Sequence, residues 1–286
     1  MKKFISTVIF LFLFIIISSL IILSTIGIDT KKFNNLISKK INENNNNFEI
    51  RLISVKFKLD INEISLFLET NNPSINYRGA VIPAKNIKVY VDFFSILKSE
   101  AKINKINLTF SQINIEELKN LSAIFKPSNF TSFINNNIKQ GKLNSEIEIY
   151  LDENNSLDNF IARGSISDLK AKIINDLVFK NTSFTFIADK SDILIKNFSS
   201  QTKSLIIDEG DLKAKFSPEI SLEANFNSNL NYNKKIESYK NILDRLNFDQ
   251  DLLILDSKLS NNFLINFDKT YKVKKFEYSG NGIISK

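Results

Sequence analysis

Apolar residues recur at every second position over most of the chain beyond residue 48, and that period dictates extended backbone. Ile53, Val55, Phe57, Leu59 and Ile61 alternate with Ser, Lys, Lys and Asp. Successive side chains of a strand point to opposite faces, so such a stretch has one apolar and one wet face. Ile64, Leu66 and Leu68 resume the alternation on shifted parity, which places a bend or tight turn near Asn62-Glu63. The same rhythm returns at Ile87-Val89-Val91, Ile106-Leu108-Phe110, Ile147-Ile149-Leu151, Phe184-Phe186 and Ile193-Ile195. It continues through Ile220-Leu222-Ala224-Phe226 and Phe263-Ile265-Phe267. About 14 candidate strands follow from this pattern.

Helical spacing is confined to short stretches. Phe33, Leu36, Ile37 and Ile41 predict a helix near 31–42, which the Asn44–Asn47 loop ends. Leu118, Leu121 and Phe125, then Phe130, Phe133 and Ile134 with Ser128 as a cap, predict helices near 116–137. Ile236, Tyr239, Leu243 and Leu246 predict one near 235–248. These few helices cannot cover so many one-sided strands. Either the sheet folds onto itself as a sandwich or barrel, or it leaves a concave apolar surface for a lipid-like ligand.

A second constraint stands at the amino terminus. From Phe4 to Ile28 there are 25 residues without a charge, preceded by Met1-Lys2-Lys3. As a helix this run is about 37 Å long, against a hydrocarbon core of about 30 Å. It is longer than the apolar stretch of a cleaved signal, and it lacks a small-x-small site. The reading is an uncleaved anchor at 4–28, a stub at 1–3 and a body at 29–286. Lys2, Lys3 and the terminal amine outweigh Lys31 and Lys32, which Asp29 offsets, so the N-terminus is expected to be cytoplasmic. The body is then exported, which in a two-membrane bacterium means a single-pass inner-membrane protein with a periplasmic body.

Composition narrows the chemistry. The chain has no His and no Cys, so no Ser-His-Asp triad, thiol nucleophile or His- or Cys-ligated metal site can be built. Seven glycines are too scattered for a phosphate loop, and Gly280-Asn281-Gly282 reads as a hairpin turn. Asp208, Glu209 and Asp211, like Asp249 and Asp251 around Gln250, match no calcium-loop spacing and read as turns between apolar segments. No enzyme activity, cofactor or metal is expected. The net charge of +7 falls to +5 once Lys2 and Lys3 are set aside. The charges are dispersed, so nucleic acid is not an expected partner.

The layout resembles the AsmA-like family of bacterial envelope proteins. The likeness begins with the lone anchor, the short helix and the strand pair "IRLISVKFKLDINEISLFLE" (50–69). It continues through "NPSINYRGAVIPAKNIKVYVDFFSILKSEAKINKINLTFSQINIEEL" (72–118), where a helical turn at Phe93–Lys98 carries the family's Phe-x-x-Leu/Ile-Leu element. A second match is "FIARGSISDLKAKIINDLVFKNTSFTFIADKSDILIKNFSS" (160–200), similar to the family's repeating strand units. The resemblance implies a mainly β fold: an elongated, twisted antiparallel sheet curled into a taco-like groove whose apolar inner face accepts acyl chains. It implies a role in outer-membrane or envelope biogenesis, with phospholipid as partner and no catalytic residues. Members are usually much longer, and this chain stops within a candidate strand, so it is expected to be a shortened member.

Two functions compete at this stage. In the first the protein binds or conducts phospholipid, with Val55, Phe57, Leu59, Leu108, Phe110, Phe184, Phe186, Leu222, Phe226, Ile265 and Phe267 as lipid contacts. Ordinary core packing is the plainer role for each of these side chains. In the second the protein is a structural or assembly factor for outer-membrane proteins, acting on other envelope-assembly proteins through strand edges.

Overall fold

The structure is a computed structural model that describes residues 2–29, 34, 48–91, 102–124, 129–154, 156–174, 177–233, 254–268, 270 and 272–285. It is mainly β and divides into two compact units, Met1–Ser111 with Ile147–Phe160, and Gln112–Glu146 with Ile161–Lys286.

The first unit opens with helix α1 (Lys2–Thr25). Its segment Phe4–Thr25 has 22 residues and a mean hydropathy of 2.9, and it is exposed along its length. It is long and apolar enough to cross a membrane, at about 33 Å of helix. The apolar run read to Ile28 does not remain helical to its end. Gly27 takes φ +73°, a left-handed value that glycine adopts without strain. Its N–H reaches the Ile22 carbonyl at 2.9 Å, which ends the helix. Strand β1 (Ile28–Asp29) follows at once.

Strands β2 (Phe48–Arg51), β3 (Val55–Asp60), β4 (Ser65–Asn71), β5 (Ser74–Tyr77), β6 (Ala80–Ile82), β7 (Ala84–Val91) and β8 (Ile103–Phe110) complete most of this unit. The main ladder runs β1-β3-β4-β7-β8, and β2-β5-β6 form a separate sheet. Register carries one apolar row across the main ladder: Phe57 lies opposite Leu68, Leu68 opposite Val89 and Val89 opposite Ile106. The small sheet packs onto one end of that row. Ile50 and Ile75 meet Ala84 there, with Leu52, Ile82, Ile87 and Leu108 around them. The expected turn near Asn62-Glu63 is present. Asp60 Oδ1 accepts the N–H groups of Asn62 and Glu63, closing the β3–β4 hairpin.

The second unit begins with β9 (Ile113–Asn114), α2 (Ile115–Ser122) and α3 (Asn129–Asn137). Asn114 caps α2: its side chain accepts the Glu117 N–H while Glu117 reaches back to the Asn114 N–H. Long strands follow: β10 (Ile138–Leu151) and β11 (Leu157–Ile174), whose residues between Ile147 and Phe160 belong to the first unit, then β12 (Leu177–Ala188), β13 (Asp192–Gln201), β14 (Leu205–Lys215), β15 (Ile220–Asn233), β16 (Ile254–Phe267) and β17 (Val273–Ser285). They pair antiparallel in chain order from β11 to β17. In neither unit do the described strands close into a barrel.

Two turn assignments are corrected. Asp208, Glu209 and Asp211 do not lie in a turn but within β14, where Glu209 takes φ +51° at a β-bulge. Asp168, Asn181 and Asn197 do the same at register shifts in β11, β12 and β13. A line of bulges therefore crosses four neighbouring strands, and each shifts its strand's parity by one, which bends the strand and increases its twist. Gly280-Asn281-Gly282 likewise lies inside β17 rather than in a hairpin turn. A Cβ on Gly282 would stand 1.9 Å from the Lys258 carbonyl oxygen, so the close approach of two strands requires glycine there. Apart from Asn34, the helix read at 31–42 lies outside the described residues. So do the turn at Phe93–Lys98, the cap Ser128, the helix read at 235–248 and the cluster of Asp249, Gln250 and Asp251.

Candidate functional site

The candidate contact residues separate by unit. Val55, Phe57, Leu59, Leu108 and Phe110 share the apolar face of the first unit by alternation and register. Val55 is only 3% exposed, and Leu108 packs against the Ile50, Ile75 and Ala84 cluster. For Leu108 the plainer reading, a core between two sheets, describes the packing.

Phe184, Phe186, Leu222, Phe226, Ile265 and Phe267 all fall on one face of the second unit. Phe186 lies opposite Ile195, Ile195 opposite Leu212 and Leu212 opposite Ala224. Leu222 then lies opposite Ile265, and Ile220 opposite Phe267. The bulges preserve this row. Ile193 and Ile195 occupy the face before the shift at Asn197, Phe198 and Ser200 after it. On the other face of β15 and β16 stand Glu223, Asn225, Asn227 and Asn229 with Lys258, Ser260 and Asn262.

Aromatic rings give the apolar row its character. Phe184 and Phe198 have centroids 6.0 Å apart. Phe226 stacks on Phe263 at 5.6 Å, and Phe263 also meets Tyr278 at 4.7 Å and Phe276 at 6.0 Å. Gly210 opens room between two of these groups, because a Cβ there would lie 3.1 Å from that of Phe198 and 3.2 Å from that of Phe226. Four of these aromatics were missed in the sequence. Phe198 follows a parity shift, Phe263 belongs to an alternating stretch with no local sign of a site, and Phe276 and Tyr278 precede a Gly-Asn-Gly whose local pattern is that of a turn.

Helices α2 and α3 lie at one end of the row. Beneath them is a cavity of about 300 Å³ lined almost entirely by apolar side chains, including Ile113, Leu118, Ile134, Ile138, Leu169 and Phe184. Further along, Phe276 is 57% and Tyr278 48% exposed. Among the described residues no element is packed over the β14–β17 part of this face and no large side chain is fully buried. Such a surface can hold hydrocarbon by excluding water, with the rings providing broad apolar contact.

The row is interrupted by a buried polar seam. Thr182 and Ser200 share a hydrogen bond of 2.6 Å. Asn261 donates to Ser228 at 2.8 Å, and the Tyr278 hydroxyl donates to Asn261 Oδ1 at 3.0 Å. On the opposite face a hollow of about 710 Å³ lies near the β13–β14 turn, lined by Lys203, Ser204, Asn229 and Lys258 among others.

Charge chemistry is concentrated on the polar face of the first unit. Lys58 pairs with Glu69 at 2.6 Å. Burial would raise the Glu69 pKa, but hydrogen bonds from Lys58 and Asn86 and the charges of Lys58 and Lys88 outweigh it and hold the carboxyl below its ordinary value. The buried Lys105 ammonium pairs with Glu63 and lies 4.1 Å from the centre of the Tyr90 ring. Burial, then the charges of Asp60 and Glu63, push the Tyr90 hydroxyl well above its usual range. These groups have partners within the sheet, so their arrangement is structural. Among the described residues no three Asp or Glu side chains converge on a metal-sized site.

No family model, curated protein or solved structure matches the chain.

Proposed function

We propose that this protein is anchored in the bacterial inner membrane by α1, carries a periplasmic body of the AsmA-like type, and serves envelope biogenesis by holding phospholipid acyl chains. The observation that carries this reading is the aromatic-rich apolar face of the second unit, from Phe184 through Phe226 to Phe276, with no described element over its far part. A half-buried apolar face that becomes exposed at Phe276 and Tyr278, on a chain with a membrane-length helix, fits a hydrocarbon ligand. The line of bulges across β11–β14 supports a sheet curved around that ligand. The polar seam of Thr182, Ser200, Ser228 and Asn261 is suited to the ester region, where apolar chains give way to polar atoms.

The test is lipid retention. Full-length protein purified in a mild detergent is extracted and its lipids are measured by mass spectrometry. The reading expects phospholipid in stoichiometric amount, and a several-fold loss in Phe226→Asp with Phe263→Asp. A lipid-free wild type, or a variant that retains lipid like the wild type, would refute it.

A second reading rests on β17. Among the described residues it pairs only with β16, and all thirteen of its residues are exposed. Such an edge can accept a strand from another envelope protein. Site-specific crosslinking along Lys274 and Glu277 would trap a defined protein partner on this reading, and none if β17 is inert.

A further inference from the structure

The β3–β4 turn has an unusual composition for an exposed hairpin tip. Turns favour Gly, Asn, Asp and Pro, yet this one reads Ile61-Asn62-Glu63-Ile64, with Ile61 63% and Ile64 87% exposed. Ile64 also takes φ +49°, a left-handed conformation that is strained for a β-branched side chain. Glycine or asparagine would relieve that strain. The acids of the turn are engaged internally: Asp60 accepts two backbone N–H groups and the Tyr90 hydroxyl, and Glu63 pairs with Lys105. Besides Asn62 and the half-exposed Glu63, what the tip presents outward is therefore isoleucine.

Its position within the first unit gives this a meaning. Strand β1 leaves the end of α1 and runs antiparallel to β3, with Ile28 opposite Phe57 and Asp29 opposite Lys56. Gly27 lies against Lys58 and the Phe57 carbonyl. As β1 leads away from the end of the helix, β3 leads back toward it. The three steps from Lys58 to Ile61 span about 10 Å at strand rise, enough to reach from the level of Gly27 into the headgroup and upper acyl region. Ile26 and Ile28, both more than half exposed, stand beside the same exit.

We propose that the β3–β4 tip is a membrane-contact element. Ile61 and Ile64 insert into the leaflet from which α1 emerges, fixing the tilt and rotation of the first unit on the bilayer surface. This rests on the anchoring part of the reading above, not on lipid binding by the second unit. It holds whichever way the helix crosses, because the tip stays on the side of the helix's C-terminal end.

The chain has no native cysteine, so single-cysteine variants can be labelled directly. Full-length Ile61→Cys, Ile64→Cys, Val81→Cys and Phe14→Cys proteins would carry an environment-sensitive fluorophore. They would be reconstituted in phosphatidylcholine–phosphatidylglycerol vesicles with nitroxide placed either near the headgroup or at mid-chain. Val81 is exposed on β6, part of the small sheet packed toward the opposite end of β7, and serves as the aqueous control. The expected result is a blue shift at 61 and 64 with most of their emission lost to the shallow nitroxide. Val81 should be unaffected, and Phe14 should be quenched by the deep one. Water-like spectra at 61 and 64 with Phe14 quenched overturn the tip proposal and leave the anchor intact. An unquenched Phe14 overturns both. Ile64→Gly removes the side chain while easing the backbone, so its fold is retained, and it should reduce shallow quenching of the label at 61; unchanged quenching there would show that Ile64 has no part in the contact.

Discussion

Both units present one apolar face of an antiparallel sheet, and they treat it differently. In the first unit β2, β5 and β6 lie over part of the face, so Ile75 is only 3% exposed and Ala84 only 6%. In the second unit α2 and α3 lie over one end, and the remainder shows half-buried or exposed aromatics among the described residues. The same alternation therefore makes a core where the chain supplies a second layer and a candidate binding surface where the described residues supply none. Alternation reports which side of a strand is apolar; it does not report what that side meets.

The comparison can be broken first by truncation. Ile75→Ala should cost about 2–4 kcal/mol, because it empties a site closed by a second layer. Phe263→Leu in the second unit should cost only about 1 kcal/mol, the worth of its ring contacts at a partly open site. Urea melts of the full-length protein in detergent would show it. Equal losses at the two positions would mean that the second face is as fully packed as the first.

A smaller effect sharpens the picture of the first unit's polar face. Lys105→Met should cost about 1–2 kcal/mol by removing the cation over Tyr90 and leaving Glu63 without its partner. Glu63 is itself half exposed, so solvent screening limits the loss. The same melts, compared with a Glu63→Gln variant, measure it. A double variant no worse than Lys105→Met alone would assign the loss to that pair.

The smallest effect is a pH dependence. Glu69 has its native pKa held below the ordinary 4.5, so the unfolded chain binds its proton first as pH falls. Its contribution is fully present above the ordinary value and is lost as pH drops through the lowered native one. Melts from about pH 6 to about pH 3 should show an acid limb that Glu69→Gln flattens. An unchanged limb would place the acid sensitivity elsewhere.

Much of this architecture was legible in the residues. The uncharged run from Phe4 announced α1, the parity change at Asn62-Glu63 announced the β3–β4 hairpin, and Leu118 with Leu121 announced α2. The bulge line was not legible. Asp168, Asn181, Asn197 and Glu209 are polar residues of the kind that also make turns, and only pairing with neighbouring strands distinguishes a bulge from a turn. For the same reason Phe198 dropped out of the row and Gly282 was placed in a hairpin. Core packing is the plainer role for Val55 and Leu108 in the sequence too, but no local pattern shows that β2, β5 and β6 supply the layer that Leu108 meets. The six candidates from Phe184 to Phe267 did fall on one face, because alternation and register agree wherever no bulge intervenes.

On the proposed function, the aromatic face of the second unit touches lipid. Photocrosslinking in living cells tests it most directly, with the crosslinker placed at Phe226 on the apolar face and at Asn225 on the polar one. Phospholipid adducts are expected at Phe226 and few or none at Asn225. Equal labelling at the two positions, or no lipid at Phe226, would contradict it.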